Sequence, residues 1–390
     1  MRILAWLATA SLCCGAAHAQ WQIQNSHATA DLHAIAASSD GQTAWAAGSQ
    51  GTVVHTTDGG DTWDRCAVPP GAAQLDFRAI QAPDDKTAIV MSSGRGDLSR
   101  LYKTADGCRT WKLVFSNPDP EGSWQNLQIR FGRRGWFEGI NGLLMGDPVD
   151  GKFPIFATTD SGSTWRRWGN TASAANTACG EDDADAEKDE ELSAESNESF
   201  LFSEYPIAII VFTSGRRGAR AISNEFFEWG KSPCAMKFSR TQISLHGALS
   251  HPGVYAAAVS GWADWFPEKI MIVGGDPDKP DHSASALLLA ARPNARHLPL
   301  SSYFASPQRA HTPPHGFRSA VDYDADTSTW ITVGPNGTDI SRDDGRTWIP
   351  LQPGPGDPPG ADRNWTALSL PYAVGPGGRI GLLCPDALRP

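Results

Sequence analysis

The sequence predicts an all-β fold, a seven-bladed propeller of four-stranded antiparallel blades. Three recurring local patterns carry this expectation. The first is a turn, Ser/Thr-x-Asp-x-Gly-x-Thr-Trp. It occurs as Thr56-Thr-Asp58-Gly-Gly-Asp-Thr-Trp63, Thr104-Ala-Asp106-Gly-Cys-Arg-Thr-Trp111, Thr158-Thr-Asp160-Ser-Gly-Ser-Thr-Trp165 and Ser341-Arg-Asp343-Asp-Gly-Arg-Thr-Trp348. The second is a Gly-rich turn about ten residues earlier, found seven times at Gly48, Gly94, Gly146, Gly215, Gly274, Gly334 and Gly375. The third is an apolar or aromatic residue followed by a polar or small one, opening each unit. Leu32-His33, Phe77-Arg78, Trp124-Gln125, Tyr255-Ala256, Phe317-Arg318 and Trp365-Thr366 fit it. A self-similar unit that cannot bury its own faces calls for a repeat architecture.

Each unit reads strand, turn, strand, Gly-turn, strand, Asp-turn, strand, as a propeller blade does. The first three turn aspartates are 48 and 54 positions apart, and Asp343 follows 183 later, leaving room for two degenerate copies. The last unit, from Asn364 to Cys384, lacks a fourth strand of its own. The strand-like segment Trp21-Gln-Ile-Gln24 is expected to pair with it, closing the ring and removing both free edges.

Within the Asp-turn every position has a structural task. The carboxylates of Asp58, Asp106, Asp160 and Asp343 accept hydrogen bonds across the turn, and Gly supplies a backbone angle other residues resist. Trp63, Trp111, Trp165 and Trp348 each bury a large face between blades, with an indole N–H for a polar partner.

The start of the chain has leader anatomy. Arg2 precedes an apolar run from Ile3 to about Ala17, and Ala17-His18-Ala19 ends in a small-x-small cleavage site. Cleavage after Ala19 makes residues 1–19 a signal peptide and leaves one propeller domain over 20–390, periplasmic or secreted, monomeric, and without a membrane span. Of seven cysteines, Cys13 and Cys14 leave with the leader. In an oxidising compartment the remaining five allow two disulfides. Cys66 with Cys108 is the favoured staple and Cys179 with Cys234 the weaker pairing.

The net charge of −10 resides mostly in one segment, since Glu181 to Glu198 holds ten acidic residues and one Lys. An acidic, mobile insertion over 180–199 is expected. Without a basic stripe the chain is a poor nucleic-acid binder. The ten histidines show no metal-ligand spacing, and His311-Thr-Pro-Pro-His315 reads as a surface loop, so neither metal nor cofactor is expected.

In a propeller the Gly-turns share a face with the strand-one starts, around the channel mouth. The charged residues placed there, Arg78, Arg95, Asp97, Arg100, Asp147, Asp150, Asp276 and Arg318, are the binding candidates. Loops held by a rigid scaffold carry function at such mouths. Arg78 and Arg318, at matching strand-one starts, would repel unless an anion or carboxylate lay between them. A sialidase-like site could draft Arg78, Arg95 and Arg318 around a carboxylate. It would also need a Tyr–Glu pair, however, and no Glu falls beside Tyr255. A glycosidase could pair Asp147 with Asp276 across blades. No catalytic residue is assigned, and binding of an envelope protein or a glycan is the favoured reading.

The Asp-turn resembles the Asp-box, or BNR, repeat, from about Asp31 to Arg379. The segments Met91–Asp97, Gly146–Gly151, Gly274–Asp276 and Gly316–Ser319 resemble exported bacterial relatives of the photosystem II stability/assembly factor family. That resemblance implies a seven-bladed, non-catalytic assembly or scaffold protein. Cys108 departs from the pattern by replacing the box Gly, and unit four, Ser223 to Trp229, holds a degraded copy.

Overall fold

The computed structural model describes residues 20–131, 140–168, 185–192, 199–204, 207–215, 219–224, 238–243, 253–263, 266–282, 285–292, 304 and 306–389. The leader, Cys179, Cys234, Arg216, Arg217 and Trp229 lie outside them. The described residues form antiparallel sheets and short 3₁₀ turns, with no α-helix among them. No helix among them is long and apolar enough to cross a membrane.

Five sheets have four strands each. The first runs Leu32–Ala37, Ala44–Gly48, Val53–Thr56 and Asp64–Arg65. The second runs Asp76–Gln81, Ala88–Ser93, Arg100–Thr104 and Lys112–Ser116. The third runs Trp124–Ile129, Gly142–Gly146, Ile155–Thr158 and Arg166–Arg167. Another runs Ala320–Asp324, Thr329–Gly334, Gly337–Ser341 and Ile349–Pro350. The last joins Ala367–Ser369, Tyr372–Gly375 and Arg379–Leu383 to the N-terminal strand Trp21–Gln24, in the register Trp21 to Leu383 and Gln24 to Ile380.

Between the third and these later sheets lies a nine-stranded sheet, from Glu190–Leu192 to Gln308–Arg309. It divides where Ile207–Gly215 meets Gly253–Ala263, because one residue pair, Ser214 with Gly253, joins them. Seven clusters of buried apolar side chains fill the spaces between successive groups of strands. One of them sets Trp45, Val53, Phe77 and Tyr102 between the first and second sheets. Another sets Tyr372, Val374 and Ile380 of the last sheet against Leu32, Ala46 and Val54 of the first. Inner strands alternate their side chains between two such layers, as the period of two requires: Ala44 and Ala46 face one layer, Trp45 and Ala47 the other.

Asp-turn tryptophans occupy these layers. Trp63 is buried and edge-on to Tyr372 of the last sheet, centroids 5.6 Å apart, and Trp348 packs against the preceding sheet near Met271. Their indole N–H groups, with that of Trp111, find no hydrogen-bond partner among the described residues. The expectation of polar partners therefore holds only for Trp165, which donates to the Gly162 carbonyl at 3.2 Å.

Four of the seven Gly-turn glycines share a cause that is not turn geometry. A Cβ on Gly48, Gly274, Gly334 or Gly375 would lie 1.9–2.1 Å from the carbonyl oxygen of Asp31, Gly253, Phe317 or Asn364, the residue leading into each first strand. No side chain fits such a close backbone approach.

One part of the acidic segment is ordered. Glu190–Leu192 pairs with Thr213–Gly215, and the Arg220 guanidinium bridges Glu187 and Glu190, with Glu190 and Arg220 both buried. Residues 190–192 of the acidic segment thus form a strand of the sheet. There, a buried arginine on a neighbouring strand holds two of the carboxylates.

Candidate functional site

The four Asp-turns are wired alike. In the first, the Thr56 hydroxyl donates to Asp58 Oδ1 at 2.8 Å. The Thr62 N–H and hydroxyl donate to its two oxygens at 2.9 and 2.6 Å, and Gly60 N–H donates to Thr56 Oγ1 at 3.1 Å. Asp106, Asp160 and Asp343 accept the corresponding bonds. Hydroxyl and amide donation from Thr110 holds the Asp106 carboxyl at about 2. For Asp58, Asp160 and Asp343 burial pushes upward, but the same donors prevail and the carboxyls stay low. These carboxylates are committed to their hairpins.

Cys108 sits at φ 57, in the left-handed region that Gly60, Gly162 and Gly345 occupy in the other turns. There it forms the expected disulfide with Cys66, Cα atoms 5.3 Å apart. Cys384 is also disulfide-bonded, with its partner outside the described residues.

On the opposite face, the first strands carry a recurring bulge. The register shifts at His33, Arg78, Gln125 and Tyr255. A bulge leaves its residue out of the ladder and re-aims its side chain. Ser319 and Thr366 hold the same place, since their hydroxyls donate to the Trp365 and Leu32 carbonyls of the following sheets.

This register corrects two sequence-based alignments. Val254, not Tyr255, matches Leu32, Phe77 and Trp124. Likewise Arg318 does not match Arg78. It stands in the core-facing place of Leu32, Phe77 and Trp124, one residue before the bulge.

Arg318 is accordingly wholly buried. Its Nε donates to Asp339 Oδ2 at 2.8 Å, Nη1 to the Phe317 carbonyl at 2.8 Å and to Asn336 at 2.6 Å. Nη2 pairs with Asp339 and lies 2.9 Å from His315 Nδ1. Burial works against the Asp339 charge, yet bonds from His315 and the Arg318 charge keep its carboxyl low. His315 is exposed on its loop, as expected, and its Nδ1 reaches the buried Asp339 carboxylate at 2.9 Å. No anion is needed between Arg78 and Arg318, because Arg318 already has its carboxylate.

Arg78 is placed differently. It keeps 27% of its side-chain surface and its Nε donates to Asp76 at 2.7 Å. His33 Nε2 lies 3.2 Å from the other Asp76 oxygen. Burial, then the Arg78 charge, lower the His33 pKa against the pull of Asp76. One sheet on from Arg78, the Gln125 amide donates to Asp147 Oδ2 at 2.5 Å, and the Leu192 N–H donates to its Oδ1 at 3.0 Å. Burial dominates there and raises the Asp147 carboxyl to about 6.

The remaining candidates scatter. Arg95 pairs with Glu121, both exposed, and Arg100 pairs with the exposed Asp97 at 3.3 Å. Asp150 is an exposed turn residue at φ 53. Asp276 is buried and accepts the Asp278 N–H at 3.1 Å, a turn-stabilising bond. Arg78, His33, Asp76 and Asp147, with the buried Gln125, therefore form a polar arc along the first three sheets, most open at Arg78 and Asp76. Among the described residues no three metal-ligating side chains come together.

Sequence reasoning also missed Arg379. Its guanidinium lies 4.6 Å over the Trp365 ring and donates from Nη2 to the Gly360 carbonyl at 2.6 Å. It lines a cavity at the last Gly-turn. A Gly-Gly-Arg following the turn was the available signal.

This architecture defines a β-propeller whose Asp-turns are structural. Solved structures share it at the level of fold. "YCF48 bound to D1 peptide" aligns over 95% of this chain and 98% of its own, with TM-score 0.53 and 15% identity. YCF48 from Cyanidioschyzon merolae aligns over 94% and 100%, with TM-score 0.57 and 14% identity. Residues 14–135 match the model of the photosynthesis system II assembly factor YCF48 family. The photosystem II assembly lipoprotein Ycf48 of Synechococcus sp. (strain CC9902) is 32% identical over 130 residues, which is 33% of this chain and 33% of that relative. The match thus spans about a third of that relative's length. The chain resembles the photosystem II assembly factor family, as its repeats led one to expect.

Proposed function

We propose that the chain is an exported, non-catalytic propeller that binds a protein partner in an assembly or scaffold role. The observation that carries this reading is the division of labour among carboxylates. Asp-turn carboxylates are consumed in hairpins, whereas the polar arc from His33 to Asp147 keeps surface and varied chemistry. The relation to assembly factors, one of them solved with a peptide bound, supports a peptide-like partner. Export rests on the leader anatomy of residues 1–19 and accords with the lipoprotein name of the Synechococcus relative.

In this reading the sheets are seven blades of one ring over 20–390. The nine-stranded sheet counts as two blades, and the N-terminal strand closes the last. The shared core layers, including that between last and first sheets, support it. Arg78, Arg95, Asp97, Arg100, Asp147 and Asp150 then form the partner face, with Asp276 and Arg318 supporting it from within.

The test is quantitative binding of envelope proteins to the immobilised mature chain, with Arg78→Glu compared to wild type. Retention of one stable partner, weakened at least tenfold by Arg78→Glu, is the expected result. Turnover of a chromogenic glycoside panel that Asp147→Asn abolishes would overturn it in favour of a glycoside hydrolase.

A further inference from the structure

We propose that the cavity at the Gly-turn of the last sheet binds a small acidic sugar. It has a volume of about 570 Å³, suited to a mono- or disaccharide, and lies between the end of the N-terminal strand and the turn Pro376–Gly378. Arg379 is the one cation among its lining residues, and the nearest carboxylate on its wall, Asp31, is occupied in accepting the Gly377 N–H at 2.8 Å. The Arg379 charge is held over Trp365, by the Gly360 carbonyl and by the opposing charge of Asp362. One Nη2 bond is its hydrogen bonding among the described residues. A guanidinium presents five donors in a fork that matches a carboxylate.

The rest of the lining suits hydroxyl groups. Asn25 and Asn364, far apart in the chain, are exposed amides that both line the cavity, each with a donor and an acceptor end. Ile23 and Pro376 supply apolar surface for a ring face. Gly377, at φ +68, has nothing within 4 Å of where a Cβ would stand, so the turn leaves the approach open. One cation, paired amides and a compact volume favour a carboxylate on a hydroxylated ring over an extended acidic peptide. None of these residues belongs to the arc proposed for protein binding, so either reading can fail alone.

Isothermal titration of the mature protein with sodium glucuronate and digalacturonate tests this, with glucose and a tetrapeptide bearing a free C-terminus as contrasts. The expected result is binding of the acidic sugars only, weakened at least tenfold in Arg379→Gln and in Asn25→Asp, and unchanged in Arg78→Glu. Asn25→Asp keeps the Oδ1 acceptor for the His27 N–H (3.1 Å) while adding a negative charge, so it separates binding from folding. Absence of heat with both acids, equal binding of glucose, preference for the tetrapeptide, or full affinity in Asn25→Asp would each overturn the proposal.

Discussion

The carboxylates on the two faces of this propeller behave in opposite ways. Asp106, in an Asp-turn, is exposed and held at about 2 by its threonine donors. Asp147, beside the Gly-turn of the next sheet, is largely buried and rises to about 6. Three further Asp-turns repeat the wiring of the first, whereas Asp76 and Asp147 of the other face pair with different groups, Arg78 and Gln125. Repetition marks what holds the blades, and divergence marks where a blade has been put to separate use. The same contrast holds between two arginines. Arg318 fills a core position with its own carboxylate, and Arg78 stands at a bulge with surface to spare.

The strongest way to break this contrast is Arg318→Ala. It strands the buried Asp339 charge, and the expected loss is about 3–5 kcal/mol in chemical denaturation. A loss of partner binding at unchanged stability would instead return Arg318 to the surface role. Arg78→Ala is the paired control, expected to change stability by less than about 0.5 kcal/mol.

Next in size is the staple between the first two sheets. The double variant Cys66→Ala/Cys108→Gly opens a loop spanning 42 residues and restores the residue suited to φ 57. A net loss of about 2–4 kcal/mol is expected from unfolding under non-reducing conditions. A smaller deficit than in Cys66→Ala/Cys108→Ala would measure the strain of a side chain at that position.

Asp160→Ala removes hydrogen bonds from Thr158, Ser163 and Thr164. Because the site is exposed, the expected cost is only about 1–2 kcal/mol. No loss would mean that the tryptophan, not the carboxylate, holds the hairpin.

The smallest effect is a pH dependence of opposite sign on the two faces. The Asp106 carboxyl is lower when folded, so its contribution is present above the unfolded value near 4 and is lost as pH falls toward 2. Asp147 binds its proton more tightly when folded. Its contribution is therefore greatest below about 4 and is lost as pH rises through about 6, by roughly 1–3 kcal/mol. Stability measured from pH 4 to 7 should fall less steeply in Asp147→Asn than in wild type. Identical slopes would place the proton elsewhere.

Local chemistry was legible in the sequence. The Asp-turn is decided within eight residues by donors, acceptors and one backbone angle, and so the bonds to Asp58, Asp106, Asp160 and Asp343 depend on residues close along the chain. The Cys66–Cys108 staple followed from its place between two such turns. The candidate face was legible only in part. Counting from an aromatic residue aligned Arg318 with Arg78, yet a bulge is defined by the strand opposite, which residue spacing does not reveal. The buried pairing of Glu190 with Arg220 spans thirty positions, and an acidic run looks the same whether solvated or docked.

By itself, then, the sequence determined the repeat, the turn chemistry and the staple, because each depends on neighbours along the chain. Tertiary structure decided which of two arginines is core and which is surface, and why the Gly-turn residues must be glycine. It also decided that part of the acidic segment is a strand and that Arg379 lines a cavity. Each of these depends on what another strand brings within a few ångströms.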